Sequence, residues 1–181
     1  GVMLYDFRTE TVLRVRALPE GAAQWALRLA EEIPGCGLEA YTARDIFALR
    51  DSPALQAHLV RERLPFRLRR AEEMGGPCCK LLFAGEPESV AQLYLRCTEA
   101  PLPGARVVLS CASHLEVLPA GADKGSGLCG LLQETGFSPG QVCAIGDYYN
   151  DRELLEAAAV SAVPENAPQD LKRLARYVVC H

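Results

Sequence analysis

The sequence predicts an α/β protein in two parts, a parallel-sheet part and an inserted α+β layer. Three observations carry this. From residue 120 onward, helical and strand-like stretches alternate, which is the pattern of a parallel sheet. Residues 19–119 instead read α-β-β-α-β-α-β-β, with strands returning in antiparallel pairs and helices between them. The change falls at Pro119-Ala120-Gly121-Ala122-Asp123, a turn-rich stretch.

Taken in order, Val2 to Tyr5 and Thr11 to Val15 read as strands around the turn Asp6 to Glu10. Pro19 is expected to open a helix, because Ala22, Trp25, Ala26, Leu29 and Ile33 recur at helical spacing before Pro34-Gly35. Leu38 to Thr42 and Asp45 to Leu49 read as paired strands. Ser52-Pro53 is a helix cap followed by a first-turn proline, and the helix runs from Leu55 to Arg63. Cys78 to Phe83 reads as a buried strand, and Pro87 to Cys97 as a helix on Val90, Leu93, Tyr94 and Cys97. Arg106 to Cys111 and His114 to Leu118 form a hairpin. A helix over 125–135, a buried strand over 142–145 and a helix over 151–158 follow. Val160 to Val163 is a strand, Pro168 to Ala175 a helix and Tyr177 to Cys180 a last strand.

Charge and composition narrow the function. The chain has 181 residues, 49% hydrophobic, with net charge −4. It shows no basic stripe and few aromatics, so nucleic acid is not an expected partner. No apolar run is long enough to span a membrane, and charge is spread through Gly1 to Leu18, unlike a signal peptide. The eight cysteines form no C-x-x-C pair. Several lie inside apolar runs (Val108 to Cys111, Val142 to Ile145, Tyr177 to Cys180), so they read as reduced core residues of a cytoplasmic protein.

The chemistry concentrates in Ala144-Ile145-Gly146-Asp147-Tyr148-Tyr149-Asn150-Asp151. Gly146 permits a sharp turn where the strand ends. Asp147 then stands at the carboxyl edge of the strand, where open α/β sheets place ligands. Asn150 and Asp151 follow at the start of a helix. Two carboxylates and an amide on one rim suit a hard cation such as Mg²⁺. Lys124, expected just before the 125–135 helix, and Asn166, in the loop after strand 160–163, belong to loops that meet on the same rim of a parallel sheet. A lysine beside carboxylates and Mg²⁺ is the makings of a phosphate site.

Lys124-Gly125, the run Gly146-Asp147-x-x-Asn150-Asp151 and the later Asn166-Ala167 resemble the carboxy-terminal motifs of the haloacid dehalogenase superfamily. The nearer resemblance is to its Cof-like sugar-phosphate phosphatases. The resemblance implies a partial Rossmann-like core, with 1–18 a core segment, 19–119 a large α+β cap domain and 120–181 the carboxy-terminal half of the core. It also implies a phosphatase that forms an aspartyl phosphate and then hydrolyses it. Lys124, Asp147 and Asp151 would carry catalysis. Lys124 and Asn166 would touch the substrate phosphate, and Asn150 the phosphate or Mg²⁺. Asp147 would be the Mg²⁺ ligand, and Asp151 would support the metal or Lys124. The substrate would be a small phosphorylated metabolite, a sugar phosphate in the nearer relatives, with the cap setting specificity. Arg44 and Asp45, at a cap hairpin tip, are candidates for that role.

One departure matters. The family's nucleophile sits in a DxDGT-like motif, and the aspartates at 6, 45, 51, 123, 147, 151 and 170 include no pair one residue apart. The sequence therefore resembles a family member lacking roughly its first eighty residues, a segment of ordinary domain size. These residues alone are expected to be inactive. A phosphotransferase or phosphomutase on the same scaffold, or a non-catalytic metal-binding module, are the alternative readings.

Overall fold

The computed structural model describes residues 1–63 and 67–180. The strands are β1 (Met3–Asp6), β2 (Thr11–Val15), β3 (Gly37–Tyr41), β4 (Ile46–Arg50), β5 (Arg67–Leu68), β6 (Lys80–Ala84), β7 (Ala105–Cys111), β8 (His114–Pro119), β9 (Cys143–Ile145), β10 (Val160–Pro164) and β11 (Tyr177–Val179). The helices are α1 (Ala22–Glu32), α2 (Pro53–Glu62), α3 (Pro87–Glu99), α4 (Lys124–Thr135), α5 (Arg152–Ala157) and α6 (Gln169–Leu174). The chain divides into two compact units. One comprises residues 1–14 and those from 121 onward, the other residues 15–120.

The 15–120 unit is built on a six-stranded sheet in the order β5-β4-β3-β6-β8-β7. Its ladders are antiparallel except for β4 with β5. Alternation along the strands separates two faces. Leu38, Ala40, Leu81, Phe83, Leu115 and Val117 pack on Ala22, Ala26, Leu29 and Ile33 of the α1 segment and on Val90, Leu93 and Cys97 of α3. Ala48 and Ala84 cluster with Leu55 and Leu59 of α2. The α2 cap forms as expected: the Ser52 hydroxyl accepts from Leu55 N at 3.1 Å, with Pro53 in the first turn. The first helix, in contrast, begins at Ala22 rather than at Pro19. Gly21 takes a left-handed conformation (φ 80°), which interrupts helical geometry just before it.

The other unit holds β1 and β2 as a two-stranded sheet and a three-stranded parallel sheet in the order β11-β10-β9. Strands 80–84 and 143–145 thus lie in different sheets. Ala144, Leu155, Val163, Ala167 and Leu171 form the core that α5 and α6 close. Two sequence expectations fail here. The 142–145 strand is buried only through Ala144, while Cys143 and Ile145 are exposed, Ile145 at 67%. The last strand, β11, is exposed along its whole length. Both are outer strands of this sheet, covered on one face or neither, so an apolar run does not by itself bury them. The cysteine reading is corrected with them. All eight thiols are free, but only Cys36, Cys79 and Cys97 are buried, and Cys129, Cys143 and Cys180 are exposed. No described helix is long and apolar enough to cross a membrane.

Candidate active site

Two elements of the unit formed by residues 1–14 and 121 onward are tied together at the site, and a third, the loop after β10, carries Asn166. The first is the start of α4. Asp123 caps it with a reciprocal pair: its carboxylate accepts from Ser126 N at 2.6 Å, and Asp123 N donates to Ser126 Oγ at 3.0 Å. This box fixes the first turn, and Lys124 is the first helical residue rather than the residue before it. A lysine here adds its charge to the positive end of the helix dipole, where an anion is favoured and a cation is not.

The second element is the turn after β9. Gly146 is buried, and a Cβ added to it would run into Asp151 Cβ and Cγ. The absence of a side chain therefore lets Asp151 close over the turn. Asp151 is 5% exposed and has both carboxylate oxygens engaged. Lys124 Nζ donates to Oδ1, and Asp147 N donates to Oδ2 at 3.1 Å. One buried carboxylate thus ties the α4 lysine to the backbone of the β9 turn. Lys124 is itself half-exposed, so its remaining donors stay within reach of a ligand. Asp147 is exposed and Asn150 half-buried.

The third element is the loop after β10. Asn166 is exposed there, and Ala167 is buried in the core beneath it. The structure thus brings Lys124, Asp147 and Asp151 together through named bonds, and places Asn150 in the same turn as Asp147. Arg44 and Asp45 lie in the exposed β3–β4 turn, where Asp45 N donates to Thr42 Oγ1 at 3.0 Å.

A further feature of α4 lies outside the sequence reading. Gly125, Gly127 and Gly130 recur along its first half. A Cβ on Gly125 would strike the Glu153 carbonyl, and one on Gly130 would come within 3.0 Å of Arg14 Nη1. These glycines let α5 and the β2 arginine approach the helix, which brings Lys124 to Asp151. The G-x-G-x-x-G spacing they happen to form lies wholly inside a helix, so it is not a nucleotide-binding turn.

A family model described as haloacid dehalogenase-like hydrolase matches residues 1–181. The chain belongs to this family. Among curated proteins, this haloacid dehalogenase-like chain is 31% identical over 127 residues to an HMP-PP phosphatase of Escherichia coli O6:H1 (strain CFT073), a match covering 70% of the chain and 47% of that relative. It spans about half the length of the curated relatives it matches. Among solved structures, a haloacid dehalogenase-like hydrolase from Bacteroides thetaiotaomicron superposes with a TM-score of 0.84 at 21% identity, covering 99% of this chain and 68% of the other. A HAD subclass IIB sugar phosphatase gives 0.81 at 16% identity, covering 99% and 67%. These likenesses establish the mixed α/β fold of the family.

Among the described residues, no group of three His, Cys, Asp or Glu side chains is placed to hold a metal ion. That does not conflict with Mg²⁺, which keeps several waters and takes one or two protein carboxylates beside substrate phosphate. The exposed Asp147 carboxylate at the end of β9 suits such a partial shell.

Proposed function

We propose that these residues form the phosphate- and metal-binding half of a Mg²⁺-dependent phosphatase site acting on small phosphorylated metabolites, sugar phosphates foremost. The bridge Lys124–Asp151–Asp147 N carries this reading. It holds an ammonium at the amino end of α4 and leaves the neighbouring Asp147 carboxylate exposed. In this reading Lys124 binds the phosphoryl oxygens, and Asn150 and Asn166 donate hydrogen bonds to the same group. Asp147 holds Mg²⁺, which when bound would share the phosphate's negative charge. Asp151, with both oxygens engaged, positions Lys124 and the turn, and any share it takes in the metal is through that scaffold.

The family membership and the HMP-PP phosphatase relative support the reaction class. No two aspartates here are separated by one residue, so the nucleophile of an aspartyl-phosphate mechanism is assigned outside these residues. Residues 1–181 by themselves are accordingly expected to give no turnover. The test is Asp147→Asn in an active protein that contains this chain. Turnover should fall at least about a hundredfold, with a raised Mg²⁺ requirement, while thermal stability holds. A variant with normal Mg²⁺ dependence and turnover would remove Asp147 from the site. Product analysis separates hydrolysis from phosphate transfer to an acceptor.

A further inference from the structure

The 15–120 unit contains a cavity of about 280 Å³ between α2, the β6–α3 turn and the β7–β8 turn. Ala54, Ala57, Ala84 and Pro87 give it apolar walls, and His58, Arg61, Ser113 and His114 give it a polar end. The two imidazoles lie against each other, ring centroids 4.7 Å apart. Cys111 Sγ and Ser113 Oγ lie 2.7 and 3.0 Å from His114 Nδ1. With these two groups as donors Nδ1 accepts, and on that assignment Nε2–H is the ring's own donor. Arg61 Nη2 donates to His58 Nδ1 at 3.3 Å, leaving His58 Nε2–H toward the buried Glu39 carboxylate at 3.6 Å.

We propose that this cavity binds a small organic monocarboxylate, its head held by Arg61 and His114 Nε2–H and its body against the alanine walls. The charge around the site favours an anion at the histidine end. Burial first, then electrostatic interaction with His58, Arg61 and Lys80, pushes the His114 pKa down to about 4, with Glu62 acting the other way. A carboxylate seated at this end meets the Arg61 guanidinium, and its negative charge favours the protonated form of His114. One anionic charge suits the site better than two, because Arg61 is already shared with Glu62 at 3.0 Å and Glu86 stands at the rim. The apolar walls contribute by burying the ligand's methylene groups. Nothing in this site is drawn from the Lys124–Asp151 centre, and the two fail or stand separately.

The chain has three histidines, so its ring signals resolve in a ¹H–¹³C spectrum. Butyrate added at neutral pH should shift the His114 and His58 ring signals saturably, with a midpoint on the order of millimolar for so small a ligand. Bound butyrate should also raise the His114 titration midpoint. Arg61→Gln, at an exposed position, should weaken binding about fivefold or more, the scale of one charge-assisted hydrogen bond. Ala57→Phe should block binding by filling the cavity without touching a polar group. Inorganic phosphate should act more weakly than butyrate. A shift that never saturates, one that sodium chloride reproduces at equal ionic strength, one unchanged in Arg61→Gln, or a stronger response to phosphate would each overturn the proposal.

Discussion

Removing the Asp151 carboxylate tests whether the site is one mechanical unit. Asp151→Ala takes away the acceptor for Asp147 N at 3.1 Å and the partner of Lys124 at once. A hydrogen bond to a charged group contributes about 1.5–3 kcal/mol. The backbone bond is held by a side chain only 7% exposed, so it counts near that range. Lys124 is 49% exposed and rehydrates when abandoned, so its share is discounted to well under the buried-pair scale. The sum is a loss of about 2–4 kcal/mol of local stability. Asp151→Asn keeps an oxygen for Asp147 N and loses the charge, so it should cost roughly half as much. Trp25, the one tryptophan, belongs to the other unit and does not report on this turn. Amide hydrogen exchange does. In Asp151→Ala the Asp147 N–H should lose protection by at least about tenfold, since 1.4 kcal/mol is a factor of ten. Unchanged protection at Asp147, together with a Lys124→Met change that is fully additive with Asp151→Asn, would refute the bridge.

The remaining predictions concern pH and packing. Neutral His114 has a pKa lowered from 6.5 to about 4 in the folded chain, so between those values the unfolded chain binds the extra proton. Stability of the 15–120 unit is therefore complete above about pH 6.5 and falls as pH drops toward 4, by on the order of 3 kcal/mol, and His114→Gln should flatten that slope in urea titrations followed by Trp25 fluorescence. Gly125→Ala should destabilise the other unit by roughly 1–3 kcal/mol, because the added methyl meets the Glu153 carbonyl, which is backbone and cannot swing aside. Equal thermal stability of Gly125→Ala and wild type would show that α4 and α5 do not pack closely at Gly125.

Helix and strand identities in the 15–120 unit were readable because each has a buried stripe and local punctuation. Ser52-Pro53 fixes the start of α2, and Val90, Leu93 and Cys97 repeat at helical spacing and are all buried. What the sequence could not carry was coverage. Val142 to Ile145 reads as a buried strand, yet Ala144 is 5% exposed and Ile145 67%. Hydrophobicity states what a residue tolerates around it and not which element supplies that surrounding. The short β5 was missed for a related reason, since a two-residue strand leaves no periodicity to detect. The Gly21 break before α1 was legible in principle, because glycine between a proline and a helical stripe is a turn signal.

The site shows the same division between type and role. Spacing alone brought Lys124, Asp147, Asn150 and Asp151 to notice, and in the sequence only the family resemblance told the two aspartates apart. The structure does so by exposure and by bonding. Asp147 is exposed, whereas Asp151 lies beneath it with one oxygen on Lys124 and the other on Asp147's own N–H. A carboxylate so engaged is a poor candidate for a ligand that must exchange water, and a good one for fixing where a lysine and a turn stand. The placement of Lys124 argues the same way. A cation at the first position of α4 opposes the helix dipole, and stability alone would put an acid there. The chain instead keeps a lysine, anchors the turn with the Asp123–Ser126 box, and removes side chains at Gly125 and Gly146 so that Asp151 can reach it. The lysine leaves positive charge at a helix end beside an exposed carboxylate, while the box and the two glycines hold the turns that carry them, an arrangement that fits the proposed phosphate and cation site.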